Sequence, residues 1–597
     1  MLRSLAAKKY FAILIAIILL TDLTIFINFR ILRQVLAFPC FTIIPGLLIL
    51  HTLRLNKLAF LKKFVLSVGL SITFLMFVGL FINSFYPLIS KPLSLAPILV
   101  SFNIILATLA FIAYKRNKND FNVKDVFNFK VGLKGKLLSP LLFSILFPFM
   151  GIFGTYLMNT QENNVVLLVM LFLIPVYVVA ITYLKDRIPE VTYPIAILMI
   201  GMAIFLMVGL RSNNLASGPA DSAEYYIFQV TSNNSHWDSS LIIRPDYNCC
   251  LSVTILPTLY KLFLGIGDVY VYKAVFNILC SVIPLTSYLV FRKYMGARYA
   301  FLSSFFLTAQ HTFISTIGWV GFRQIIALLL FALAVLVFFD DRIVKLQKTM
   351  LFVLLMISVI VSHYSTAYIF FILIFLYWFM TNLKSIVLNI AKVEFGNITA
   401  GIVVLFFALI FFWYSQVSPT IFNNTTLFIK SNLMNLINLS LEGLKHEETL
   451  FTIRGNIGAI NNLIYYTSFT FIAIGILRLM KTHRNFDKGY LLMMAISSAI
   501  LASLSIASLF IVGYGASRVY LQLLIFLAPA FVIGGEVISK FISRFNPKLN
   551  LSLAIITIAL TAQFFSATYV VYQIAGIHYS EFLNSRGVYL HADSKYS

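Results

Sequence analysis

Charge is scarce in this sequence, and negative charge scarcer still. Only 11% of its 597 residues are charged and 21 are acidic, where ordinary soluble domains are roughly 25% charged. So little charge cannot clothe a water-facing surface of this size, which excludes a soluble globular enzyme. Cysteine is almost absent. Cys40, Cys249, Cys250 and Cys280 fall at no metal-ligand spacing and imply no disulfide framework. What fills the chain is apolar: 60% hydrophobic residues, 58 of them Phe, and a mean hydropathy of +0.92.

Apolar runs of about 20 residues recur from end to end, and each is long enough to cross a bilayer as a helix. Because backbone groups in lipid must bond within the segment, the expected fold is an all-α polytopic membrane protein with about 17 transmembrane helices. The predicted spans run from 10–28 to 551–571 and include 268–291, 299–316, 323–339, 490–511 and the two short runs 349–362 and 366–380. The two short runs also fit one kinked element. Residues 10–28 lack a small-residue cleavage site and read as a retained span rather than a signal peptide.

The formal charge of +24 does not point to nucleic acid. Most Lys and Arg fall in alternate loops (54–63, 115–136, 185–190, 292–298, 340–348, 381–397, 480–489, 539–550), as expected when those loops face the cytoplasm. With the N-terminus also inside, segments 211–267 and 416–461 and the tail 572–597 lie outside, in a multi-pass protein of the cell membrane. Four parts follow: a six-span module at 1–190, a core at 191–415 with the outer loop 211–267, the outer loop 416–461, and a four-span module with a short outer tail at 462–597.

The outer loop holds the unusual chemistry. Residues 211–250 carry Asp221, Glu224, Asp238 and Asp246, a concentration of acids in an acid-poor chain. Gly218-Pro219 ends the preceding helix, and 221–230 can form a new one. Asp221 and Glu224 then share a helix face. Two such carboxylates can hold a divalent cation such as Mg or Mn, or one can serve as a general base. The structural alternative is a capping-box-like pattern at a helix start. Residues 247–265, with Pro257 and Lys261, fit a helix lying in the outer interface better than a span.

Later spans bring further polar groups to the same side: Arg323 at the start of 323–339, His363 in SHYST, and Arg518 in GYGASRVY. Arginine suits phosphate, which it can hold bidentately. For each arginine the structural alternative is snorkelling to the interface, and for His363 it is a hydrogen-bonded core histidine. The KHEET stretch at 445–449 reads as an ordinary solvated loop, with a lid as the alternative.

A carboxylate in a long outer loop after a first core span, followed by loop helices along the membrane, resembles the GT-C class of integral-membrane glycosyltransferases. Span 192–210 corresponds to that first core span, Asp221 to the acidic position, 247–265 to the second loop helix, and the spans through 415 to a seven-span core. The chain also resembles large archaeal multi-pass membrane proteins with a GPADSAEYY-like loop and an SHYSTAY-like segment. It lacks a WWD-type motif and a large soluble C-terminal domain, which disfavours a protein N-glycosylation catalyst.

The resemblance implies transfer of a sugar from a polyprenyl- or dolichyl-phosphate donor to a lipid, glycan or protein acceptor. Asp221 and Glu224 would be catalytic and, with a metal, its ligands. Arg323, Arg518 and His363 would hold the substrate phosphate. The competing readings are a lipid-linked glycan polymerase or ligase that uses the arginines and His363, a transporter or flippase, and a non-catalytic assembly subunit. Asp22 and Lys273 are the nearest candidates for a transport path.

Overall fold

A computed structural model describes residues 2–122, 136–211, 219–241, 244–319, 321–387, 398–438, 456–482, 485–507, 516–544, 551–574, 576 and 583. Every regular element among them is a helix. Thirteen helices are long and apolar enough to cross a membrane, so the chain is an all-α polytopic membrane protein. Three of the other four predicted spans are shorter or broken among the described residues. The run at 299–316 divides into Ala297–Thr308 and His311–Trp319. The runs at 323–339 and 551–571 become Phe322–Phe338 of 17 residues and Ser552–Ala567 of 16, while 490–511 falls on the 20-residue helix Lys488–Ala507. The short runs 349–362 and 366–380 are separate helices, Lys345–Ser362 and Tyr364–Val387, parted by an extended His363 (φ −162°, ψ 119°).

Burial sorts the helices by environment. The best windows of Ser517–Ile542, Asp268–Phe291 and Phe60–Asn83 are 78–89% buried, against 22–33% for Leu5–Ile27, Leu95–Asn117, Ala400–Val417 and Ala459–Thr482. The second group presents exposed Phe26, Leu23, Ile104, Phe407 and Phe412, the surface that lipid covers. Phe322–Phe338 is buried along its whole length. At ~1.5 Å per residue it falls short of a ~30 Å hydrocarbon layer, and a helix walled by protein has no need to match that layer.

The loops divide into two sets, as the alternation of spans requires. Lys62 pairs with Asp340, Lys293 with Asp341 (2.8 Å) and Asp487 (3.1 Å), and Arg292 with Glu190 (2.8 Å). All of these belong to lysine- and arginine-rich loops. At the other set, Asn83 Nδ2 donates to the Trp237 carbonyl (2.8 Å) and Tyr86 stacks on His236 at 3.9 Å. Ser418 Oγ likewise donates to the Pro245 carbonyl (3.2 Å).

Ile255–Leu264 is a short helix within 247–265, and protein rather than lipid covers its apolar side. Protein encloses it: it packs against Arg30–Thr52, Phe60–Asn83 and Pro219–Asn234, with Phe263 stacked on Phe41 at 3.7 Å. Its hydroxyls are satisfied internally, Thr258 Oγ1 on the Thr254 carbonyl (2.8 Å) and Tyr260 with Thr42 (3.0 Å), so burial strands no donor. The helix ends at Gly265 in the left-handed region (φ 60°), where glycine is favoured. Arg33 closes that end by donating to the Phe263 carbonyl (2.9 Å) and the Leu262 carbonyl.

The second and third spans therefore support the loop region directly, and Phe102 of the fourth adds a ring contact to Phe263 at 5.4 Å. Ser139–Gln161 and Val165–Leu184 pack elsewhere, chiefly on Thr192–Leu210 and Ser552–Ala567.

Candidate functional site

The loop helix spans Pro219–Asn234. Proline at its first position has the φ a helix needs and no amide to leave unbonded. Ala223, Glu224, Ile227, Phe228 and Thr231 are buried, a stripe at helical spacing with a carboxylate in it. The helix stops at Ser235, which is left-handed (φ 49°).

Glu224 is 1% exposed and Arg323 5% exposed. Arg323 Nε lies 3.2 Å from Glu224 Oε1. The Arg323 guanidinium also donates through Nη1 to the Asp246 carbonyl (2.9 Å). It covers the Tyr247 ring at 3.8 Å and faces Tyr364 at 5.3 Å. An arginine so engaged is a structural hub, with its charge spent on a carboxyl, a carbonyl and an aromatic face. Glu224 sits at the amino end of Phe322–Phe338, where unbonded amides favour an acid. The amides of Phe322 and Arg323 help hold its pKa down, yet neither carboxyl oxygen completes a hydrogen bond.

Burial dominates this balance. It pushes the Glu224 carboxyl up to about 7 despite the opposing pull of Arg323, those two amides and the more distant charge of Arg518. Below that pH the acid is mainly protonated.

The other predicted site residues divide clearly. Asp221 belongs to the loop helix, one turn before Glu224, while its side chain lies outside the described residues. His363 is buried, and its Nδ1 accepts from the Thr366 amide (3.4 Å) and pairs with the Thr366 hydroxyl (2.8 Å). It thus caps the helix Tyr364–Val387 in the way a Ser or Asp caps others. Arg518 is exposed near the start of Ala516–Ile542, and its charge bears on both Glu224 and His363. Asp238 makes a local turn, accepting from the Ser240 amide (2.8 Å) and hydroxyl (2.7 Å). Asp246 contributes its carbonyl rather than its carboxylate. KHEET at 445–449 lies outside the described residues.

Among the described residues no cluster of three or more His, Cys, Asp or Glu suits a metal. Glu224 itself is a poor ligand for a divalent ion, because a guanidinium already stands against it and burial favours its neutral form.

Sequence reasoning missed Tyr247 and Tyr364, which face the guanidinium. It also missed the packed segment beneath them. There Leu251 N donates to the Val361 carbonyl (2.8 Å), Ser252 Oγ to the Ser362 carbonyl (3.0 Å) and Trp413 Nε1 to the Cys249 carbonyl (3.3 Å). Tyr272, on Asp268–Phe291, donates to the Glu224 carbonyl (3.3 Å). These contacts join residues tens to hundreds of positions apart and leave no periodic trace. Lys273, next to Tyr272, donates to the Arg211 carbonyl (3.1 Å).

A protein-family model described as a predicted membrane protein (DUF2206) matches residues 348–594. That stretch contains His363, Trp413 and Arg518, while Asp221, Glu224 and Arg323 precede it, so the site straddles its boundary. No curated protein matches the chain. No solved structure matches it.

Proposed function

We propose that the protein is a membrane glycosyltransferase that moves a sugar from a polyprenyl- or dolichyl-phosphate donor to a hydroxyl acceptor on the extracytoplasmic side of the cell membrane. The observation that carries this reading is the seating of the acidic loop helix on Arg323 at the end of a buried helix. It brings the segment bearing Asp221 to a place where the charge of Arg518 is also felt.

Asp221 takes the proton of the acceptor hydroxyl. The freed oxygen attacks the anomeric carbon, the bond from that carbon to the phosphate oxygen breaks, and the lipid phosphate leaves with the electron pair. Arg518, exposed and able to bind an anion bidentately, stabilises the leaving phosphate. Arg323 is too enclosed for that task. No step is routed through a metal.

The test is transfer from labelled lipid-phosphate sugars in membranes. Asp221→Asn lowers kcat by about 100-fold or more, the range for a general base, and Arg518→Ala raises the donor KM about tenfold. Full activity in Asp221→Asn refutes the mechanism. The convergence of Arg323 and Arg518 on His363 favours the polymerase or ligase reading as second. There the arginine variants lose activity and Asp221→Asn does not. Uptake without transfer indicates a transporter.

A further inference from the structure

We infer that Glu224 is a positioning residue rather than a second catalytic carboxylate: its buried carboxyl seats the loop helix bearing Asp221 on Arg323 and on the amino end of Phe322–Phe338. This rests on the transfer reading only for what the seated helix then does. The seating itself is a property of the fold.

Four observations converge on it. Glu224 is 1% exposed, so a bulky lipid-linked substrate does not reach its oxygens. The carboxyl meets Arg323 Nε at 3.2 Å. Arg323 is in turn fixed by the Asp246 carbonyl and the Tyr247 ring, so the helix is held to a rigid partner. The Glu224 backbone carbonyl receives the Tyr272 hydroxyl at 3.3 Å, which anchors the same turn from another span. Finally, burial of the carboxyl outweighs the opposing pull of Arg323 and of the Phe322 and Arg323 amides. An acid in that condition holds its proton readily, and a protonated carboxyl can seat a helix but cannot act as a base.

The charged and titratable groups facing Glu224 are Arg323 on Phe322–Phe338, Arg518 on Ser517–Ile542, and Tyr247 and Cys250 on the segment after the loop helix. Together with burial they leave the docked carboxyl near 7, from an ordinary value of 4.5. The docked state therefore binds the proton more tightly than a helix released into water. Docking is strongest below pH 4.5, weakens about tenfold per pH unit above it, and reaches its floor once pH has passed about 7.

Hydrogen exchange of residues 219–234, read by mass spectrometry on the full-length protein in nanodiscs and corrected for intrinsic exchange chemistry, measures docking without any substrate. In the wild-type protein, protection falls about 100-fold from pH 5 to pH 7.5. Glu224→Gln, which copies the protonated acid, keeps protection and loses the pH dependence. Glu224→Ala loses protection tenfold or more at pH 6. Protection of Phe322–Phe338 stays constant throughout, which separates local release from unfolding. Protection in Glu224→Ala equal to wild type overturns the inference. So does equal loss in Gln and Ala, since it means that the carboxylate charge itself is required. Because no donor is present, either outcome is independent of whether the transfer reaction occurs.

Discussion

Replacing Arg323 by Met tests the site at its hub, because the cost should depend on pH in a calculable way. The substitution keeps an unbranched side chain of similar reach and removes the charge. Lost at any pH are the charge-assisted bond to the Asp246 carbonyl and the stacking on Tyr247 at 3.8 Å. The first is worth about 1.5–3 kcal/mol and the second about 1–2 kcal/mol in a desolvated setting. A cost of about 3 kcal/mol is therefore expected at pH 6, where Glu224 is largely neutral.

Above pH 7 the wild-type acid ionises against Arg323. The variant offers no counter-charge and keeps its acid protonated to higher pH. The penalty then grows by 1.36 kcal/mol per pH unit, adding about 2 kcal/mol at pH 8.5. In a Glu224→Gln background there is no acid to ionise, and the cost stays flat. A double-mutant cycle on local opening of 219–234, measured by hydrogen exchange at pH 6, 7.25 and 8.5, isolates the coupling. A coupling that is the same at all three values refutes the argument that burial, opposed by Arg323, sets the state of Glu224.

Two further outcomes test the frame. A Cβ added at Gly534 would fall 1.8 Å from the Phe471 carbonyl oxygen, and one at Gly475 1.9 Å from the Ala530 oxygen. Gly534→Val should thus force Asn456–Thr482 and Ala516–Ile542 apart, cost about 3 kcal/mol and lower the thermal transition in detergent, while Gly296→Ala, with open space around it, leaves the transition in place. In intact cells an impermeant maleimide should label Asn424→Cys and reach Lys118→Cys only after permeabilisation, and the reverse pattern refutes the proposed orientation.

The helical membrane fold was legible because burial in lipid is written into composition. Apolar runs of about 20 residues, repeated along one chain, match the thickness of a bilayer and little else in protein architecture. The basic loops that the alternation groups together do meet, through Lys62 with Asp340 and Lys293 with Asp487, but nothing in the sequence named those pairs. The number of crossing helices was less legible. Helices walled by protein, such as Phe322–Phe338, are free of the bilayer's length requirement, and a break such as that at Ala309–Gln310 hides inside an unbroken apolar run. What covers 247–265 was illegible for a related reason. An amphipathic stretch with Pro257 and Lys261 reads alike whether lipid or protein covers its apolar side, and elements distant in sequence, Arg30–Thr52 and Phe60–Asn83 among them, decide that protein does. Lys261 itself is only part-buried and pairs with Asp268 (2.7 Å), as a charged residue on the edge of an apolar helix should.

The acid pair shows how far residue spacing carries chemistry. Three-residue spacing puts Asp221 and Glu224 on one helix face and suggests that they act together. The fold breaks that symmetry through depth. One turn along the helix, Glu224 meets the buried end of Phe322–Phe338, where its charge is disfavoured and its oxygens are shielded from solvent. A carboxyl there can hold the helix but is badly placed to bind a metal or to take a proton from an acceptor. The same reasoning separates the arginines. Arg323 is enclosed and already bonded, which suits it to fixing geometry, while Arg518 is exposed. In a chain with only 21 acids, burying one beside a guanidinium is expensive. A device that fixes where Asp221 stands is a physical reason to retain it, and that reason disappears if 219–234 docks equally well without Glu224.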